Sequence, residues 1–160
     1  MIGERYLEIV LRLAKLAPDL VDSYAGPAEL AVVLYRRTMM RIADAVAERV
    51  RADALVTREN LGQVASQTVQ NLSVIDAAAR RLVLRPLVTY DKVDTTALAR
   101  RIGTFETSIL PFDDCCSLFV PRHPATAARL VDAERSEANL DLGAEVAAAM
   151  AGAEVVRLDA

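Results

Sequence analysis

Glycine is scarce in this sequence and never clustered. The six glycines lie at positions 3, 26, 62, 103, 143 and 152. A loop that cradles a phosphate needs closely spaced glycines, because its backbone N–H groups must approach the ligand without interference from side chains. We therefore expect no phosphate-binding loop in this chain. The sequence also lacks a serine nucleophile elbow and a convincing Ser–His–Asp arrangement, so no serine-based catalytic site is predicted.

Long apolar runs, aromatic residues and excess positive charge are missing as well. No apolar stretch approaches the roughly 20 residues that a membrane helix needs, and Glu4 and Arg5 interrupt any signal-peptide pattern. Aromatic residues make up 4% of the chain and tryptophan is absent, so the core must be aliphatic. The net charge of −3 argues against a strongly basic nucleic-acid-binding protein. We expect a cytoplasmic protein with no membrane partner.

Cysteine is limited to two neighbouring residues, Cys115 and Cys116. A disulfide between neighbours would form a strained ring, so these residues are poor structural staples and a reducing compartment fits them best. Adjacent cysteines also chelate badly, and the sequence has no spaced pairs of Cys or His. We therefore predict no metal site.

Hydrophobic periodicity predicts one folded α/β domain. The chain has 160 residues, of which 53% are hydrophobic, and this is enough for a single core. The spacing of apolar residues predicts a helix over 4–16 and a longer helix through Val32–Val50. Short apolar runs predict buried strands at Ala54–Thr57 and Leu82–Arg85. The face of the long helix that we expect to be exposed carries Arg37, Arg41, Asp44 and Glu48.

Capping and turn signals complete the predicted order of elements. A third helix should begin near Asn60, and Asp91 with Asp94 forms a variant capping box for a helix that ends at Gly103. Helices that alternate with strands imply a parallel sheet with crossover helices. The rest of the chain is predicted as an irregular loop over 104–124, helices near 125–137 and 142–151, and an edge strand over 154–158.

A stretch without charge, from Asn60 to Ile75, is the first candidate functional segment. On a helix, its glutamines at 63, 67 and 70 would share one face, and Gly62 would let a ligand approach the positive helix end. An uncharged glutamine stripe suggests a hydrogen-bonding surface covered by something. The favoured alternative, from periodicity alone, is that the stripe packs on a neighbouring helix or subunit.

The cysteine loop, residues 110–124, is the second candidate. Paired thiols in a loop suit sulfur or redox chemistry, because the thiolate is the nucleophile. Asp113 and Asp114 would oppose ionisation of the thiols, whereas Arg122 could offset them. The alternative is that the cysteines are two small buried hydrophobic residues. His123, the single histidine, is more often a surface or capping residue than a catalyst.

Several of these segments, in this order, resemble the tRNA 4-thiouridine sulfurtransferase family, which is also tied to thiamine biosynthesis. The resemblance runs from about Leu34 to the C-terminus and corresponds to the C-terminal half of that family's ATP-pyrophosphatase domain. It implies a partial Rossmann-like sheet of the adenine nucleotide alpha hydrolase (PP-loop) type, with flanking helices and truncated at its N-terminal side. The matching blocks are LVTRENLGQVASQT at 55–68, LRPL at 84–87 with DK at 91–92, IGT at 102–104, and the cysteine loop.

The resemblance also implies chemistry and partners. In that family the domain binds ATP with Mg²⁺ and adenylates a uridine in tRNA, and sulfur from a persulfide donor then replaces the activated oxygen. The family's nucleotide contacts fall on Arg36, Arg58 and Gln67 of this sequence. The acting thiol falls on Cys115 or Cys116, and the resemblance does not choose between them.

Departures from the family pattern qualify the expected activity. The family normally has Gly in place of Arg58, and a bulky Arg at a position of close approach would block the nucleotide. The Ser-Gly-Gly-x-Asp-Ser phosphate loop is absent, and residues 1–30 do not match. We therefore divide the chain into a helical segment 1–30 and a partial sulfurtransferase domain 31–160 that is inactive or nearly so alone. The alternative is a non-catalytic module that forms a homo-oligomer or complements another chain.

The cysteine loop leads to a labelling prediction. If it carries the sulfur chemistry, at least one of Cys115 and Cys116 must be exposed, so a maleimide should label the folded chain readily. The Asp pair should keep the thiol pKa from falling far, so the labelling rate should rise steeply toward alkaline pH. Thiols that react only after denaturation would mean that both are buried and would contradict the functional interpretation.

Overall fold

A computed structural model describes residues 7–10, 26–111 and 121–157 of the chain. Two short 3-10 turns, Ala28–Leu30 and Ala65–Gln67, accompany the regular elements. The strands are β1 Leu7–Val10, β2 Ala54–Val56, β3 Leu82–Leu84 and β4 Glu154–Arg157. The helices are α1 Ala31–Val50, α2 Val69–Asp76, α3 Lys92–Arg101, α4 Phe105–Ser108, α5 Leu130–Glu137 and α6 Leu142–Ala151.

Strands β2 and β3 form a parallel pair, in which Leu55 lies opposite Val83. Leu55 is buried and belongs to the core, and Val83 packs against that core. The pairing continues past the strands, because the Thr57 N–H donates to the Leu84 carbonyl oxygen at 3.0 Å. The predicted α/β class, with a parallel sheet and flanking helices, is therefore confirmed.

Helix α1 is the central element of the described core. It packs against α2, α5, α6 and β2, and it ends where Arg51 takes up a left-handed conformation with φ of 59°. The core is aliphatic, as the scarcity of aromatic residues predicts. Its buried members are Leu30, Val33, Leu34, Met40, Ala47, Leu55, Val74, Ile75, Ala128 and Ala133.

The polar face of α1 is not the solvent-exposed face that its charge pattern predicts. Arg37 is only 2% exposed, and Asp44 is equally buried. Arg37 donates to both oxygens of Glu137, at 2.8 and 2.9 Å. Asp44 accepts from the Arg81 guanidinium at 3.2 Å and from the Arg80 backbone N–H. Paired and hydrogen-bonded charges can be buried at acceptable cost, so the exposed-face prediction was wrong for these two residues.

The predicted helix over residues 4–16 is wrong where the structure describes it. Residues 7–10 form strand β1, which pairs antiparallel with β4, so that Ile9 lies opposite Val155. The predicted edge strand at the C-terminal end is thereby confirmed. Local periodicity cannot detect a pairing between residues about 150 positions apart along the chain, and β-branched residues suit a strand better than a helix.

The third predicted helix starts later than expected. Residues 60–64 form turns, and α2 begins at Val69 with Thr68 as its N-cap, whose hydroxyl oxygen accepts from the Asn71 N–H at 3.1 Å. The Asn60 side chain instead donates to the carbonyl oxygens of Leu87 and Tyr90, at 2.8 and 3.0 Å. These contacts tie residue 60 to the connection that follows β3, and a continuous helix from residue 60 is therefore not formed.

The capping box of α3 is confirmed. The Asp94 N–H donates to the Asp91 carboxylate at 2.8 Å, and the Asp94 side chain accepts from the Asp91 N–H. The helix stops before Gly103, which has a positive φ of 76°. The region predicted as an irregular loop contains the short helix α4, and α5 starts at residue 130 rather than near 125. None of the helices in the described ranges is long and apolar enough to cross a membrane.

The buried ion pair between α1 and α5 yields a stability prediction. Glu137→Gln would leave the Arg37 guanidinium buried without a counter-ion, so we expect the free energy of unfolding to fall by about 3 kcal/mol. The matched control is Glu48→Gln, because Glu48 pairs with Arg80 at the exposed surface. That control should cost at most about 1 kcal/mol. Urea denaturation followed by circular dichroism measures both, and equal losses would contradict the role of burial.

The same pair gives the stability a pH dependence. Burial raises the pKa of Glu137, but hydrogen bonds and charges from Arg37 and Arg41 lower it more, so its net pKa lies below the ordinary 4.5. A carboxyl whose pKa is depressed by folding contributes stability above its unfolded pKa and loses it as pH falls through its folded pKa. The difference in free energy of unfolding between the native chain and Glu137→Gln should therefore shrink as pH falls below 4.5.

Candidate functional site

The candidate site lies at the carboxyl ends of the two parallel strands. Residues 57–59 follow β2 directly, and Arg85 follows β3. In open α/β sheets, ligands bind in the crevice outside the carboxyl ends of the strands. The chain segments that matter here are therefore the two strand ends and the parts of α1 and residues 65–67 that pack beside them.

The Glu59 carboxylate is the centre of this region. Glu59 is 2% exposed and follows β2 by three residues. Its Oε1 pairs with the Arg36 guanidinium from α1. Its Oε2 accepts from the Thr57 hydroxyl and, at 2.9 Å, from Arg85 Nε. One buried carboxylate thus connects α1, the end of β2 and the end of β3.

Arg85 extends the contacts to the end of α2, where its guanidinium donates to both oxygens of Asp76, one of them at 2.9 Å. Arg36, Glu59, Arg85 and Asp76 therefore form a strand-end charge network with two positive and two negative groups. Burial raises the pKa of Glu59, but the Thr57 hydrogen bond and the charges of Arg36 and Arg85 lower it more. The carboxylate is consequently ionised at neutral pH.

The pKa of Arg85 shifts in the opposite direction to that of Glu59. Burial lowers its pKa, but hydrogen bonds to Asp76 and the charge of Glu59 raise it more, so the net shift is upward. The strand-end charge network contains two guanidinium groups and two carboxylates, so its formal charges sum to zero. The network therefore brings no net charge to the strand ends, although it places specific hydrogen-bonding groups there.

Arg36, one of the predicted nucleotide contacts, contacts the residue next to Gln67, a second one. The Arg36 side chain is 24% exposed, and its Nη1 donates to Ser66 Oγ at 3.3 Å. Ser66 directly precedes Gln67 in the chain. The Gln67 Oε1 atom is buried and has no hydrogen-bond partner among the described residues. A buried acceptor without a donor costs about 1–3 kcal/mol, so this position fits a ligand that donates an N–H or O–H.

Arg58, the third predicted contact, lies between Thr57 and Glu59 and is exposed. Its φ is not positive, because Arg51 is the one non-glycine residue with positive φ in the described ranges. The backbone at residue 58 therefore does not itself require glycine. The Arg58 side chain makes no hydrogen bond or ion pair with a described residue. Whether it obstructs a nucleotide stays a prediction.

The glutamine stripe does not exist as a shared helix face. Gln63 lies in an exposed turn, Gln67 in the 3-10 turn, and Gln70 on the exposed side of α2. The Gly62 N–H donates to the Gln67 carbonyl oxygen at 2.9 Å, and Gly62 has a φ of 76°. This hydrogen bond closes residues 62–67 into a loop, so Gly62 is not at a helix start. The shared helix face that both interpretations of the stripe assumed is therefore wrong.

Asn71 is a positioning element that sequence reasoning missed. Its side chain is fully buried and donates to the carbonyl oxygens of Ala65 and Ala125, each at 2.7 Å. Its Oδ1 accepts from the Ala128 N–H at 2.8 Å. Asn71 therefore holds residues 125–128 against the loop that carries Gln67. The available signal was an Asn between apolar positions of the uncharged segment 60–75.

Cys115 and Cys116 lie outside the described residues, together with most of the cysteine loop. Pro111 and Pro121, which border this part, are described, and neither belongs to a helix or strand. Within the described ranges, no group of three His, Cys, Asp or Glu side chains could hold a metal ion. The candidate site therefore consists of hydrogen-bonding and charged groups supplied by Arg36, Arg58, Glu59 and Gln67.

Comparison with known proteins places these residues in a family context. The family model described as thiamine biosynthesis protein (ThiI) matches residues 6–142. A probable tRNA sulfurtransferase of Alkaliphilus metalliredigens is 52% identical over 132 residues, which cover 82% of this chain and 34% of that protein. A probable tRNA sulfurtransferase of Thermus thermophilus is 49% identical over 131 residues, which cover 82% of this chain and 32% of that protein.

The fold of this chain is also similar to that of a solved structure. It is the crystal structure of a 4-thiouridine synthetase–RNA complex with bound ATP, and it is 37% identical to this chain with a TM-score of 0.82. The match covers 93% of this chain and 38% of that one. The chain thus spans about a third of the length of the relatives that it matches. The resemblance inferred from the sequence blocks is confirmed.

Proposed function

This chain belongs to the ThiI family, and from that premise we propose that it forms part of the nucleotide site of an ATP-dependent tRNA sulfurtransferase. The proposed reaction is the thiolation of a uridine in tRNA to 4-thiouridine, and thiamine biosynthesis is the proposed second use of the sulfur. Because the chain spans about a third of its relatives' length, the proposal assigns it a share of the site rather than the whole activity.

The observation that carries the proposal is the buried Oε1 of Gln67, which has no hydrogen-bond partner among the described residues, in the residue next to the Arg36 partner Ser66. A buried acceptor without a donor is unusual in folded proteins, and such exceptions concentrate at binding sites. The 4-thiouridine synthetase of similar fold has ATP bound. ATP offers amino and hydroxyl donors for the Gln67 oxygen and phosphate acceptors for the guanidinium groups.

Each residue of the site has a distinct proposed part. Arg36 orients the nucleotide through the N–H groups that Glu59 and Ser66 leave available, and Gln67 accepts a hydrogen bond from it. ATP, when bound, supplies the adenylyl group that activates the uridine oxygen. Mg²⁺ would accompany its phosphates, since this ion usually keeps waters and takes few protein ligands. Cys115 or Cys116 would pass on the sulfur that a persulfide donor delivers.

The first functional prediction concerns the effect of the Arg58 side chain on ATP affinity. If its side chain blocks the nucleotide, the native chain should bind ATP weakly, and Arg58→Gly should tighten that binding roughly three- to tenfold. Arg51→Gly is the matched control, because Arg51 is also exposed and lies before β2, at the opposite end of the strand. Isothermal titration of all three proteins with ATP measures the effect. Micromolar affinity of the native chain, or equal affinities of the two variants, would overturn the assignment.

A second candidate function, a dimerisation or complementation module, is favoured by the bare face of the β2–β3 sheet. Val56 is 69% exposed and Leu82 is 66% exposed, and Leu84 is exposed beside them. Parallel sheets are normally covered on both faces, and unpaired strand edges invite pairing with another chain. An apolar face of this kind is a favourable surface for a second copy or for a complementing chain.

This candidate predicts an association that depends on the bare face. We expect sedimentation velocity to show a homo-oligomer, or a complex with a complementing chain. Leu82→Lys should shift the native chain toward monomer, because an ammonium group would have to be buried at the contact. The exposed Val93→Lys on α3, away from the sheet, is the control. A native chain that sediments as a stable monomer would count against this candidate.

A further inference from the structure

The Arg36 side chain is held by a partner that has no assigned role. Among the described residues, it forms an ion pair with Glu59 and a hydrogen bond to Ser66 Oγ. An arginine side chain on a helix surface loses about 2 kcal/mol of rotamer freedom when it is fixed. A strong partner must therefore hold it in one place. Ser66 alone, at 3.3 Å, is a weak restraint, so the orientation of Arg36 depends on Glu59.

Glu59 can act as that partner because it is itself fixed. The Thr57 hydroxyl and Arg85 Nε both donate to its Oε2, and Asp76 in turn holds the Arg85 guanidinium by two hydrogen bonds. Only Oε1 remains for Arg36. Since Glu59 is almost wholly buried, salt screens this pair less than it screens a surface pair.

We propose that Glu59 is a positioning residue, whose carboxylate holds the Arg36 guanidinium against Ser66, the chain neighbour of Gln67, and thereby prearranges one wall of the nucleotide site. The part of this inference that concerns the nucleotide rests on the proposed function above. The part that concerns the order of Arg36 rests on the contacts alone. Glu59 is only 2% exposed, and Thr57, Arg36 and Arg85 engage its carboxylate, so in this proposal Arg36 and not Glu59 faces the nucleotide.

A purely structural role for Glu59 makes a different prediction. If Glu59 only stabilised the fold, its loss would weaken ATP binding equally whether or not Arg36 is present. If Glu59 acts through Arg36, its loss should have no further effect once the guanidinium has been removed. A double-mutant cycle distinguishes the two, since residues that act through one another have non-additive effects.

The experiment uses the full chain and ATP as the probe, with two readouts. The first is the Nη–H resonance of Arg36 in the nucleotide-free chain, observed by NMR at low temperature, because Nη1 and Nη2 make the contacts to Ser66 and Glu59. We expect slow hydrogen exchange in the native chain, loss of this protection in Glu59→Gln, and partial loss in the milder Thr57→Val. The exposed carboxylate variant Glu48→Gln is the control and should leave the resonance unchanged. Thr57→Val keeps the test available if Glu59→Gln does not fold.

The second readout is the shift of the Gln67 backbone amide during titration with ATP to millimolar concentration. We expect Glu59→Gln to weaken ATP binding about tenfold in the native background and less than about twofold in the Arg36→Met background. Thr57→Val should show the same pattern with a smaller effect. These fold-changes refer to the ATP dissociation constant. Because the titration extends to millimolar ATP, it measures even the weak binding expected of the native chain.

The outcomes separate the two parts of the inference. An unchanged Arg36 resonance in both Glu59→Gln and Thr57→Val would overturn the positioning role. Equal losses of affinity with and without Arg36 would also overturn it and assign Glu59 to the fold. If ATP shifts no resonance at Gln67, the nucleotide site and the ligand part of this inference both fail, while the Arg36 resonance still decides whether Glu59 orders that side chain.

Discussion

Charge neutralisation inside the protein is the constraint on which the rest of the structure depends. Helix α1 carries four charged side chains into the packed part of the molecule, and each meets an opposite charge from a later segment of the chain. Arg36 pairs with Glu59, both Arg37 and Arg41 pair with Glu137, and Asp44 pairs with Arg81. Removing one member of a buried pair is costly, so these pairs specify which segments lie against α1.

The same constraint shapes the candidate site. At the strand ends every described charge that is buried has a partner, and the carboxylate of Glu59 satisfies two guanidinium groups at once. Two side chains differ from this pattern: the Gln67 oxygen, which no described residue satisfies, and the exposed Arg58. Proteins tolerate such departures from local satisfaction mainly where function requires them. The departures here coincide with the positions that the family resemblance assigns to the nucleotide.

The sequence was most informative where signals are local or where whole blocks resemble a family. The capping box at Asp91, the strand starting at Ala54 and the parallel α/β class needed only nearby residues or the order of elements. It was least informative for residues 7–10, whose strand partner lies at the other end of the chain, and for residues 60–67, which a long-range hydrogen bond from Asn60 and the positive φ of Gly62 keep out of a helix. Hydrophobic periodicity is a property of a single segment, so it carries no information on contacts between segments that are far apart in the chain.

The sequence by itself determined the family, the aliphatic character of the core and the identity of the candidate residues Arg36, Arg58 and Gln67. Only the tertiary structure decided which charges are buried and which groups meet. Glu59 was visible within a family block, yet nothing local shows that it binds Arg36 and Arg85, which come from α1 and from the end of β3. A side chain's partner depends on how separate segments pack, and the free energy of burying a charge is decided only when that partner is in place.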